Sequence, residues 1–140
     1  NNWVTAATLI NGLPGEKTDD VIASINLVED LKGTSSLIVP MNFVSMKGSA
    51  LDNEESFTMD KMKPEHWQLM GECIEHDLKI APELLKNYRN DVGIKSWILE
   101  FSMMHTGKKL NKYVNRMKRG EPPTDRTEPS KWLIPDLSDL

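Results

Sequence analysis

Only two stretches of this 140-residue chain read as β-strands, and a single amphipathic helix pattern separates them. Residues 3–11 (WVTAATLIN) are apolar and β-branched on both alternations. That is the pattern of a strand buried on two faces, as in a parallel sheet. Residues 36–44 form the second run, with Leu37, Ile38, Val39, Met41, Phe43 and Val44 around Pro40. Proline cannot donate to a ladder, so this strand is expected at a sheet edge or to end near Pro40. Between the runs, Val21, Ile22, Ile25, Val28 and Leu31 recur at helical spacing behind Thr18, an expected N-cap, and Lys32-Gly33 supplies a stop. Strand, helix, strand in this order predicts a βαβ unit. A two-stranded parallel pair does not make an independent sheet. The sheet is therefore expected to be completed by strands outside this chain or by a second copy. The start at Asn1-Asn2, running at once into an apolar segment, leads us to expect a piece of a longer polypeptide.

The remainder reads as helical. Pro64 suits a first helical position, and Trp67, Met70, Ile74 and Leu78 follow at helical spacing. Pro82 is expected to end or kink that helix. The longest helical stretch is expected over residues 94–117, and a proline-containing tail after Gly120. The expected organisation is 1–56 as the βαβ part, 57–120 as a helical region and 121–140 as an extended tail. A formal charge of −4 implies no partner by itself. No apolar run is long enough for a membrane span, and residues 1–15 lack the features of a secretory signal. A single cysteine, Cys73, excludes an internal disulfide and a four-cysteine metal site within these residues. Together these point to a reducing, cytoplasmic setting.

The most informative local pattern is Leu9-Ile10-Asn11-Gly12-Leu13-Pro14-Gly15-Glu16 ahead of Thr18-Asp19-Asp20. It places a glycine turn at the carboxyl end of a strand, just before a helix N-terminus. Ligands of α/β folds collect at such places. An ordinary tight turn, with glycines serving only the chain reversal, explains the same spacing.

The stretch from Thr8 to Glu16, the following helix, and Leu37-Ile-Val-Pro-Met-Asn-Phe43 resemble the late part of a radical S-adenosylmethionine enzyme core. The resemblance covers about residues 3–51, and Lys17 and Thr8 depart from the family's usual threonine and glycine. It implies an α/β fold: the terminal βαβ unit of a partial (β/α)6 barrel, followed by a mainly helical C-terminal extension. Residues 128–135 look like the extension of archaeal-type members, some of which also bind cobalamin. The parent enzyme would hold a [4Fe–4S] cluster on C-x3-C-x2-C and cleave S-adenosylmethionine to start radical chemistry. Those cysteines are not in this sequence, so the chain alone is expected to be inactive and to bind no cofactor. By the resemblance, Ile10, Gly12, Leu13 and Glu16 belong to the adenine side of the cofactor pocket, with Asn42 and Phe43 at the end of the next strand. The expected partners are the rest of the parent polypeptide or, through the incomplete sheet edge, another copy. The substrate is not legible.

Two further constellations stand apart. His66, Cys73 and His76 would share one arc of a single helix and could in principle ligate zinc, although packing explains them as well. Residues 105–119 hold Lys108, Lys109, Lys112, Arg116, Lys118 and Arg119, of which Lys108, Lys112, Arg116 and Arg119 fall on one helical face as a basic stripe, with little aromatic interleaving. An alternative reading is thus a helical module that meets RNA or an acidic protein through this face, and the bland one is a solvated helix surface.

Overall fold

The computed structural model describes residues 4–92 and 110–124, with side chains described for 4–84 and 110–124. The chain is α/β. Strand β1 (Thr5–Asn11), helix α1 (Thr18–Asp30) and strand β2 (Ser36–Asn42) form the expected βαβ unit. A 3-10 turn (Met59–Lys61) precedes the long helix α2 (Pro64–Val92), and residues 110–117 form a further helix, α3. Among the described residues the sheet has two strands, paired in parallel from Thr5 opposite Ser36 to Asn11 opposite Asn42.

The apolar stripe of α1 faces the sheet as its periodicity requires. Val21, Ile25 and Val28 are buried against Ile38 of β2 and Leu69 and Cys73 of α2, with Leu31 packed beside them, whereas Ile22 of the expected stripe turns to solvent. A second cluster joins Trp67 of α2 to Val114 and Met117 of α3. Both helices that touch the sheet therefore cover one face. On that face lie Leu9, Asn11 and Ile38; the other carries Ala6, Thr8 and Ile10 of β1 and Val39 and Met41 of β2, all exposed. Successive side chains alternate between the faces, so β1, expected to be buried on both, is covered by the described residues on one only.

Backbone directions alternate as well. Phe43 N–H donates to the Asn11 carbonyl (2.8 Å), so odd-numbered residues of both strands point their backbone groups into the shared ladder. Even-numbered groups of β2 point to its outer edge, where α2 meets them. Asp77 Oδ1 accepts the Ile38 N–H (2.8 Å), and His76 Nε2 donates to the Ser36 carbonyl (2.8 Å). Pro40 falls on the same outer edge, so its missing N–H removes no ladder bond. The strand consequently runs through Pro40 to Asn42 as an edge strand.

Several sequence expectations shift. The N-cap of α1 is Lys17 rather than Thr18; Asp20, at the third helical position, accepts the Lys17 N–H (2.9 Å) and anchors the start from inside the helix. Pro82 does not end its helix: α2 continues through it to Val92. Of the expected 94–117 helix, residues 110–117 are helical and 93–109 lie outside the described residues, as does the tail from 125. α3 stops at Gly120 (φ 77°), with Gly120 N–H donating to the Met117 carbonyl (2.8 Å) and Glu121 N–H to Arg116 (3.2 Å). This is a Schellman stop. A Cβ on Gly120 would lie 2.7 Å from Pro64 Cβ, so the stop rests on the first residue of α2. Gly120→Ala is expected to cost about 2–3 kcal/mol, from the left-handed φ and the overlap together, measured as a lower urea midpoint.

Candidate functional site

The carboxyl end of β1 is where the sequence placed its candidate residues. Gly12 takes φ 75°, a conformation glycine adopts without cost, and the chain turns through Pro14 to Gly15 (φ 85°). Glu16 folds back over this turn. Both of its carboxylate oxygens accept the Gly12 N–H, at 3.0 Å each. Oε1 also meets His66 Nε2 at 2.9 Å.

His66 comes from the first turn of α2. Its Nδ1 accepts the Lys63 N–H (3.0 Å), one of the donors a helix start leaves without an intrahelical partner. A ring nitrogen that accepts carries no proton, so the hydrogen-bond pattern assigns a neutral ring with its proton on Nε2, donated to Glu16. One imidazole thus fastens the β1–α1 turn to the N-terminus of α2, 5% exposed.

Phe57 covers the assembly. It is tied to the end of β2 through its N–H to the Phe43 carbonyl (2.9 Å), and its ring lies 4.9 Å from the His66 ring, centre to centre. It also sits directly over Gly12: a Cβ there would lie 1.9 Å from Phe57 Cγ. Asn11 is 2% exposed, and its Nδ2 has no hydrogen-bond partner among the described residues.

The six candidate residues separate into two groups. Gly12, Glu16 and the buried Phe43 form a closed arrangement with Phe57 and His66, and Asn42 is half-buried beside it. Ile10 (50% exposed) and Leu13 (42%) remain open to solvent at the strand end. Sequence reasoning missed Phe57, and it set His66 beside Cys73 and His76 as a candidate zinc ligand rather than beside Glu16. Phe57 sits in a polar stretch with no periodicity. A signal for His66 was available: at the third position of a helix opening on Lys63-Pro64, a side chain that accepts would cap it.

His66, Cys73 and His76 occupy three separate places. His66 holds Glu16, His76 caps the edge of β2, and Cys73 is fully buried among Val28, Ile38 and Leu69. No group of three His, Cys, Asp or Glu side chains among the described residues could hold a metal ion. Burial, with smaller contributions from the carboxylates of Asp77 and Glu72, pushes the Cys73 thiol up to about 12. Thiolate is the reactive form. Cys73 is therefore expected to resist a maleimide in the native protein and to react fully in denaturant, read by intact mass. Native labelling at the denatured rate would contradict its burial.

Of these basic residues, Lys118, Arg116 and Arg119 face acids of this chain. Lys118 Nζ meets Glu75 (2.9 Å) and the buried Glu72 (3.4 Å), and Glu72 also meets Lys32 from the end of α1 (3.4 Å). Arg116 and Arg119 both reach Glu121. Lys112 is exposed, whereas Lys108 and Lys109 lie outside the described residues. Burial works against the Lys118 ammonium, but Glu75 and Glu72 outweigh it and hold its pKa above the ordinary value. The hydrogen bond from Lys118 holds Glu75 below its ordinary 4.5. A carboxyl depressed in the folded state stabilises above its unfolded pKa, and the contribution is lost as pH falls through the folded value. Glu75→Gln should therefore lessen the drop in urea midpoint between neutral pH and about pH 3.

No protein-family model matches the chain, and comparisons with curated proteins and with solved structures return no match either. No helix among the described residues is long and apolar enough to cross a membrane.

Proposed function

We propose that this chain is the closing βαβ segment and helical extension of a radical S-adenosylmethionine enzyme barrel, and that it supplies the adenine-side wall of the cofactor pocket. The observation that carries the reading is the one-sided finish of the sheet. The outer edge of β2 is covered by His76 and Asp77 and interrupted by Pro40, which suits a last strand. The β1 edge and the apolar outer face have no strand partner among the described residues, which suits a sheet that continues and turns that face inward. The resemblance of residues 3–51 supplies the family.

Within this reading the residues divide their work. Ile10 and Leu13, exposed at the carboxyl end of β1, offer apolar surface to a purine. Glu16 touches no ligand; it fixes the Gly12 turn and is itself oriented by His66. Phe57 fills the space over Gly12, so a ligand meets this turn from the Leu13 side. An iron–sulfur cluster needs accessible thiolates, and Cys73, buried with its thiol near 12, does not fit one. The cluster ligands of the parent would lie on other polypeptide, and no step of the chemistry is assigned to this chain.

Reconstituted anaerobically with iron and sulfide, the isolated chain should develop no visible cluster absorbance and release no 5′-deoxyadenosine. The coding sequence upstream of Asn1 should encode C-x3-C-x2-C. In that longer polypeptide, Ile10→Asp should raise the KM for S-adenosylmethionine about tenfold, or about 1.4 kcal/mol. An upstream sequence without the motif, or a cluster held by this chain alone, overturns the proposal.

A further inference from the structure

The two edges of the sheet are treated differently, and the difference has consequences for association. An open strand edge is a template for another chain, and proteins that leave one unused blunt it with proline, charge or covering elements. The outer edge of β2 carries such devices: Pro40 has no N–H to offer, Asp77 takes the Ile38 N–H, and His76 takes the Ser36 carbonyl. Among the described residues the edge of β1 carries none of them. Its even-numbered residues Ala6, Thr8 and Ile10 direct their backbone groups away from β2, and residues 4–11 include no proline and no charged side chain. All three are exposed, and no positive-φ residue bends the strand.

We infer that the edge of β1 is a self-association surface, on which a second copy of this chain docks its own β1 antiparallel about a two-fold axis at Thr8. In a two-fold contact a residue on the axis meets itself, so a charged edge would repel its copy. Here Thr8 faces Thr8, a pairing that is favourable across antiparallel strands, and Ala6 faces Ile10 on either side. Small opposite large keeps the row even. About six backbone hydrogen bonds would join the copies into a four-stranded sheet that ends on both sides in the covered edge of β2. The contact is smaller than the ~800 Å2 per partner of a standard interface, so the dimer is of the concentration-dependent, micromolar kind. The inference concerns this 140-residue chain: in the longer polypeptide of the cofactor reading a strand supplied in cis would take the same edge and exclude the second copy.

The test is the molar mass of this 140-residue chain by sedimentation equilibrium across a concentration series. The wild-type mass should rise from 15.9 kDa toward twice that value. Thr8→Lys and Thr8→Glu place like charges on the axis and should each remain monomeric, with unchanged circular dichroism. Mixing the two in equal amounts should restore the dimer. Val39→Lys alters the same sheet face one strand away and should dimerise like the wild type. A wild type that stays at 15.9 kDa, a Thr8 mixture that stays monomeric, or a Val39→Lys chain that loses the dimer would each overturn the inference; the last would show that the faces pack together.

Discussion

Gly12→Ala is expected to destabilise the fold by about 2–5 kcal/mol, a large part of the stability of a domain this size. Two effects add. The left-handed φ of 75° costs an L-residue about 1–2 kcal/mol. The new methyl would also overlap the Phe57 ring, 1.9 Å from Cγ, and forcing a ring aside costs about 1–3 kcal/mol more. Gly15 separates the two, because it has φ 85° but nothing within 4 Å of its would-be Cβ. Gly15→Ala should lose only the backbone part. In a Phe57→Ala background the cost of Gly12→Ala should fall to that of Gly15→Ala. Urea unfolding of the four variants measures this, and equal losses at Gly12 and Gly15 in the wild-type background would show that the ring does not confine the turn.

Glu16→Ala should cost about 2–4 kcal/mol, because it strands two donors at once: the Gly12 N–H and the buried His66 Nε2–H. Glu16→Gln keeps one acceptor oxygen but places an amide nitrogen against a donor, so its loss should be smaller and still clear. The amide resonance of Gly12 reports the contact directly. It should shift in both variants, and it should shift in His66→Phe through loss of the orientation of Glu16. A Gly12 amide indifferent to His66 would mean that the imidazole does not hold the carboxylate.

The βαβ unit was legible because continuous apolar, β-branched runs and a 3.6-residue stripe are local properties, written in residues 3–44 without help from the rest of the chain. Its edge position was legible too, since Pro40 can occupy only a strand with a free side. The start of α1 was misplaced by one residue because the cap works from Asp20, inside the helix. The expectation that Pro82 ends or kinks its helix rests on a strong local preference, and the surrounding helix overrides the ending, since α2 runs on to Val92. At the site, the glycine turn could be read but not its lining. Phe57 and His66 lie more than forty residues from Gly12 in sequence, and neither stands in a pattern that names its partner. The same holds for His76, placed by spacing on one arc with His66 and Cys73, and for Asp77: nothing local shows that they meet the backbone of β2.

The junction of Lys32, Glu72 and Lys118 links the residues just past α1 and α3 to α2 through one buried carboxylate. Removing charged groups from water becomes less unfavourable on heating, so such a junction weakens less with rising temperature than its value at 25 °C suggests. Replacing Glu72 with leucine would therefore be felt most near the melting point, where α1, α2 and α3 would begin to come apart separately instead of in a single cooperative step.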